Sequence, residues 1–263
     1  MIGAGLLLAL LSAAPASQEA PAASPSPSPL IVQRSETVTW AIRYNGVTAG
    51  TAWARSEPTA DGQVQIEGGA KNAPWYGSIY SIDDWVRSTA LSTGGSQRYE
   101  TRFREGGFQQ DQDMRLAGSP FEVWRKQLIK GEWKEWTREY PAHPGAEDPI
   151  SAILRLRLLK DEDRAATPFG EGWTFPVFSG DKTWPLFVQH IGSEAVEVEG
   201  MGTVQARILE LRTEHKGLLE QRGRFRIWLS EDERRLPVKM VVKSNYGPIR
   251  ADLIGYQGDG AGG

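Results

Sequence analysis

The stretch Thr37-Val38-Thr39-Trp40-Ala41-Ile42-Arg43-Tyr44-Asn45-Gly46-Val47 decides the fold. Val38, Trp40, Ile42 and Tyr44 put a large apolar group at every second position, with Thr37, Thr39, Ala41 and Arg43 between them. A repeat of two is that of a strand with one buried face. Asn45-Gly46 follows at once and readily takes the positive φ angles of a tight hairpin. Val47 to Arg55 is therefore expected to return antiparallel.

Outward from this hairpin the pattern repeats. Asp61-Gly62 leads into Val64, Ile66, Gly68 and Ala70, whose small members let another element approach the sheet closely. Further strands are expected over Trp85 to Leu91, Gln97 to Phe103, Phe108 to Leu116, Phe121 to Ile129 and Trp133 to Thr137. The second half continues with Trp173 to Phe178, Thr183 to Ile191, Val196 to Val198, Val204 to Thr213, Gly223 to Leu229, Pro237 to Lys243 and Ile249 to Tyr256. One helix stands against them. Asp148 supplies an N-cap, Pro149 suits the first helical position, and Ile150, Ile153, Leu154 and Leu158 form one apolar stripe. The fold class expected is mainly β: a strongly curved antiparallel sheet or half-open β-barrel, with a helix from about 149 to 160 packed on its concave side. Strand periodicity does not distinguish a closed barrel from an open sheet.

The N-terminus points to export. Ile2 to Leu11 is almost wholly apolar and Ala14-Pro15-Ala16 offers small residues at signal-peptidase spacing, so residues 1–16 read as a secretory leader. This apolar run is far shorter than the ~20 residues that cross a bilayer. Residues 17–30 form an Ala/Ser/Pro-rich linker, 31–256 a single β-rich domain and 257–263 a Gly-rich tail. A periplasmic or otherwise exported location is expected, with no membrane-spanning segment in the mature chain.

Composition narrows the function. With 40% hydrophobic and 24% charged residues the chain folds, and a net charge of -3 lacks the broad positive field that nucleic acid needs. The absence of Cys removes disulfides, thiolate metal sites and cysteine nucleophiles. No Gly-x-Ser-x-Gly elbow, phosphate loop, dinucleotide fingerprint or His-Glu-x-x-His pair occurs. His143, His190 and His215 are isolated, so no metal, cofactor or catalytic residue is assigned. Asp83-Asp84 are neighbours on one strand and point to opposite faces, which keeps them from sharing a cleft unless a bulge intervenes. Ten Trp, seven Tyr and eight Phe fill a core, line an apolar cavity or form a stacking platform. Pro74-Trp75-Tyr76-Gly77-Ser78-Ile79-Tyr80 joins aromatic density to loop-forming residues and reads as an aromatic loop at a cavity mouth. Trp75, Tyr76, Tyr80, Asp84 and Arg155 are the candidate ligand-binding residues.

Five phrases together resemble a bacterial envelope family, domain of unknown function 3108. They are Tyr44-Asn45-Gly46-Val47-Thr48-Ala49-Gly50, Tyr80-Ser81-Ile82-Asp83-Asp84, Asp148-Pro149-Ile150-Ser151-Ala152-Ile153-Leu154-Arg155, Ile227-Trp228-Leu229-Ser230-Glu231-Asp232-Glu233-Arg234-Arg235-Leu236-Pro237-Val238 and Gly247-Pro248-Ile249-Arg250-Ala251-Asp252-Leu253. The resemblance implies an exported, β-rich protein and carries over no catalytic residue. Three readings stand: a noncatalytic carrier of an apolar or lipid-like ligand, a structural partner of an envelope protein complex, and a carbohydrate-binding or carbohydrate-active protein.

Overall fold

The computed structural model describes residues 35–77, 80–213, 225–244 and 247–258. The expected leader and linker, His215 and residues 259–263 lie outside them. Fifteen strands follow one another: β1 (Glu36–Tyr44), β2 (Val47–Pro58), β3 (Gln63–Asn72), β4 (Asp83–Leu91), β5 (Ser96–Glu105), β6 (Phe108–Arg115), β7 (Phe121–Ile129), β8 (Glu132–Tyr140), β9 (Ala165–Thr167), β10 (Gly170–Phe178), β11 (Thr183–Val198), β12 (Gly202–Thr213), β13 (Phe225–Ser230), β14 (Pro237–Ser244) and β15 (Gly247–Gly258). They make one antiparallel sheet in the order β8-β7-β6-β5-β4-β3-β2-β1-β15-β14-β13-β12-β11-β10-β9. The sheet is open. Its one non-sequential pairing joins β1 to β15, so it grows outward from that seam to the edges β8 and β9.

The deciding hairpin forms as its sequence dictates. Asn45 and Gly46 both have positive φ, 48° and 81°, and Tyr44 pairs with Val47. Val38, Trp40 and Ile42 are buried, and the Trp40 indole N–H donates to Pro237 O across the interior at 2.7 Å. Register shifts at Thr39/Trp40, Ile42/Arg43, Thr89/Ala90, His190/Gly192 and Trp228/Leu229 add local twist and bend. The shift at Gly192 lets β11 run unbroken for sixteen residues, where the sequence suggested two strands separated near Gly192. β9, too short to show periodicity, and the last two residues of β15 also extend the strand set.

Among the described residues two α-helices interrupt the meander: α1 (Pro74–Gly77), a single turn where a loop was expected, and α2 (Pro149–Leu156). α2 ends four residues before Lys160, because Arg157 caps it and a 3-10 turn at Asp161–Asp163 follows. Its apolar residues do not form one stripe against one surface. Ile150, Leu154 and Leu158 belong to a core built from β3 to β7, with Val64, Ile66, Val86, Tyr99, Phe103 and Met114. Ala152, Leu156 and Leu159 belong to a second core built from β1 and β10 to β15, and Ile153 packs on that side too. The helix is a wedge between two half-sheets. Gly68 of β3 permits it: a Cβ there would lie 3.2 Å from Ile150 Cδ1 and 3.0 Å from Trp53 O.

Strand alternation sorts the connections onto two rims. α2 and the β4–β5 turn lie at one; α1 and the hairpins β1–β2, β5–β6 and β7–β8 lie at the other. No helix among the described residues is long and apolar enough to cross a membrane. Leu156 is 1% exposed at the heart of the wedge. Leu156→Ala is expected to lower the unfolding free energy by about 3 kcal/mol, read as a shifted urea midpoint.

Candidate functional site

The segment after β3 is tied down on both sides. Ala73 N–H donates to Ala49 O at 2.7 Å, and Ile82 N–H donates to Asn72 Oδ1 at 2.6 Å. Tyr80 N–H returns to Tyr76 O, Gly106 N–H donates to Ser81 O, and Ile82 bridges Glu105. Trp75 and Tyr76 project from α1 with their rings edge to face at 5.4 Å. Trp75 is 52% exposed, while Tyr80 lies partly covered beneath the β5–β6 turn. The Tyr80 hydroxyl donates to Glu105 O at 3.1 Å. Burial first, and then the nearby Glu105 and Asp84, push its phenol up to about 12.

Asp84, the second residue of β4, lies on the concave face and is 2% exposed, whereas Asp83 faces outward and pairs with Lys71 at 3.5 Å. The two carboxylates are thus on opposite faces, as alternation requires. Arg104 N–H donates to Asp84 Oδ1 at 2.9 Å, yet burial dominates and pushes the Asp84 carboxyl up. Trp75, Tyr76, Tyr80 and Asp84 therefore gather at one rim. Arg155 does not join them. It leaves α2 at the opposite rim, with its guanidinium against Gly94, 5.9 Å from the Phe175 ring centroid and 3.9 Å from Glu147 Oε1.

Arg155 belongs to a buried polar junction instead. Asp148 Oδ1 accepts from the N–H groups of Ile150 and Ser151 at 2.9 and 3.0 Å, and its other oxygen accepts from the hydroxyls of Ser88 and Ser96. Ser151 Oγ donates to Glu147 Oε2 at 2.8 Å and Gly95 N–H to Glu147 Oε1 at 3.0 Å. The backbone here stitches the half-sheets: Ser96 N–H donates to Ala146 O, Glu147 N–H to Pro176 O, and Phe178 N–H to Glu147 O. Desolvation pushes both carboxyls up. Their hydrogen bonds go to groups that fix the chain, so the junction serves the fold.

Sequence reasoning identified the Asp148 cap and missed Glu147 and Glu105, which sit at connections without periodicity. It also missed Val47, 54% exposed on the same rim as Trp75; its place just after Asn45-Gly46 was the available signal. Among the described residues no group of three or more His, Asp and Glu side chains is placed to hold a metal.

The open curved sheet with a wedged helix defines a β-barrel-like protein. The sequence profile described as "Protein of unknown function (DUF3108)" matches residues 37–254, and the chain belongs to that family. No curated protein matches it. Among solved structures it is similar to the beta-barrel-like protein of domain of unknown function DUF1849 from Brucella abortus. That match has a TM-score of 0.56 and 11% identity, and covers 87% of this chain and 99% of the other; it establishes a shared fold. A second match, MucB in complex with MucA(peri), has a TM-score of 0.19 at 11% identity over 86% of this chain and 88% of that one, too low to carry an argument.

Two titrations check these environments. Near neutral pH, Tyr80→Phe is expected to cost about 1 kcal/mol through its lost hydrogen bond. That deficit shrinks as pH rises from 10.0 through about 12, because the unfolded phenol ionises first and the wild-type chain loses stability over that window. For Glu147, the raised folded value means that stability present at low pH is lost as pH rises from 4.5 through the raised value. Glu147→Gln is expected to remove this component, leaving a flatter profile of urea midpoint against pH in that range.

Proposed function

We propose that the chain is an exported, noncatalytic protein of the cell envelope that takes an apolar or lipid-like ligand at the aromatic rim. The carrying observation is where apolar surface is left uncovered. Five large apolar side chains are exposed among the described residues, and three of them, Val47, Trp75 and Trp133, stand on the rim opposite α2. Exposed apolar surface concentrated at one end of a curved sheet supports contact with an apolar partner. The Trp75 ring supplies area, and the hydrogen-bonded Tyr80 gives the segment a fixed base.

The apolar leader and the Ala14-Pro15-Ala16 site support secretion to the periplasm or beyond, with cleavage near Ala16. The absence of a sequence motif for hydrolysis, phosphoryl or hydride transfer supports a binding role. Native mass spectrometry with organic extraction of the chain from Ser17, isolated gently from the periplasm, tests the reading. A near-stoichiometric apolar species is expected, falling at least tenfold when Trp75 and Tyr76 are both replaced by Ala. Ligand-free protein from that compartment, or unchanged occupancy in the double variant, overturns it.

A further inference from the structure

The long edge of the sheet carries a self-complementary pattern. β7 and β8 are joined by Lys130-Gly131, both with positive φ (53° and 85°), and Ile129 pairs with Glu132. A two-residue hairpin makes that flanking pair the hydrogen-bonded one. Glu132, Lys134, Trp136, Arg138 and Tyr140 therefore turn their backbone groups toward β7, and Trp133, Glu135, Thr137 and Glu139 turn theirs outward. Pairing with β7 runs through all nine residues without a register shift, so the edge is regular. Seven of the nine are exposed, including Trp133 at 44%. The opposite edge, β9, is only three residues long.

Charges on an edge strand ordinarily guard against pairing, so the register decides whether these do. A two-fold axis perpendicular to the sheet keeps each side chain on its own face, which allows only pairs of equal parity. Centring the axis on Trp136 sets Lys134 against Arg138. Centring it on Thr137 sets Glu135 against Glu139. Centring it on Lys134 or Arg138 sets that cation against its own copy, and registers still nearer either end overlap too little of β8 to form a ladder. Centring on Glu135 places Glu132 opposite Arg138 and Lys134 opposite Trp136 on one face, and Trp133 opposite Thr137 on the other. These are an ion pair, a cation over an indole and an aromatic on a β-branched residue, each repeated by symmetry. Among directly opposite residues the single like-charged pair is Glu135 with its own copy, and that carboxylate already accepts from the Trp124 indole N–H at 2.8 Å.

We infer that β8 pairs antiparallel with β8 of a second copy of this chain, in the register centred on Glu135. The outward backbone groups of Trp133, Glu135 and Thr137 then complete a ladder across the two-fold, joining two open sheets into one. Trp133 is shared with the aromatic rim, but the register rests on the pattern of β8 and does not draw on the rim's ligand.

The absence of cysteine makes the test clean, since a single introduced thiol can pair only with its copy. At the axis, hydrogen-bonded partners sit about 5.5 Å apart between Cα atoms, within disulfide reach; a position one residue off the axis is displaced along the strand beyond it. Mild oxidation is expected to convert Glu135→Cys to a covalent dimer and to leave Lys134→Cys monomeric. Thr137→Pro removes an outward N–H and spares the ladder to β7. In sedimentation velocity the wild-type full chain is expected to double its mass with rising concentration, and Thr137→Pro to stay monomeric. A monomer across the whole wild-type series, equal crosslinking of the two thiol variants, or a dimer that survives Thr137→Pro overturns the inference.

Discussion

The buried junction at Glu147-Asp148 is the constraint on which the rest of the architecture depends. Two adjacent carboxyls inside a protein are costly unless their oxygens are satisfied, and here the helix N–H groups, three serine hydroxyls and the Gly95 N–H satisfy them. The same segment is bonded to β5 on one side, where Ala146 O accepts from Ser96 N–H and Asp148 N–H donates to Ser96 Oγ, and to the β10 backbone on the other through Glu147. An open sheet has no ladder to close it, so its two halves are held at this end by a segment that crosses the concavity. α2 follows directly and fills the space between them with apolar side chains on two faces. Arg157, its C-cap residue, holds Glu36 at the start of β1 and anchors the far end of the wedge.

This arrangement gives the two rims different characters. At the α2 rim, Glu147, Asp148 and Arg157 are drawn inward and bonded, and Arg155 leans over Phe175 and toward Glu147. At the opposite rim, α1 and neighbouring hairpin ends leave Trp75 and Val47 exposed while Tyr80 is held under the β5–β6 turn. The proposed binding role is assigned to the second rim for a physical reason. Apolar area is available there without disturbing the helix that holds the half-sheets together, whereas a ligand at Arg155 would have to displace an ion-paired, packed side chain.

Much of the fold could be read from local sequence because its determinants are local. Period two placed the strands, Asn45-Gly46 fixed the first hairpin, and Asp148-Pro149 marked the start of α2. The pairing of β1 with β15 could not be read this way, since it joins residues some two hundred positions apart and leaves no periodic trace. The split of the α2 stripe was hidden too: apolar spacing says that a helix is buried, but not that two separate surfaces bury it. For the candidate site, clustering of Trp75, Tyr76, Tyr80 and Asp84 followed from closeness in sequence. Arg155 stands apart from them at the α2 rim, a separation hidden in the sequence because helix position alone does not say which rim a helix occupies. Glu147 and Glu105 act through backbone connections at turns, where residue type and spacing carry no signature.

The account rests on α2 and its junction coupling the two half-sheets, and amide hydrogen exchange on Asp148→Ala tests this most directly. Removing the carboxylate leaves the Ser88 and Ser96 hydroxyls and two helix N–H groups without their buried acceptor. Protection is expected to fall together in α2, in β5 around Ser96 and in β10 around Phe178, since these share the junction. Loss confined to the first turn of α2, with β5 and β10 exchanging as in the wild-type chain, would contradict it.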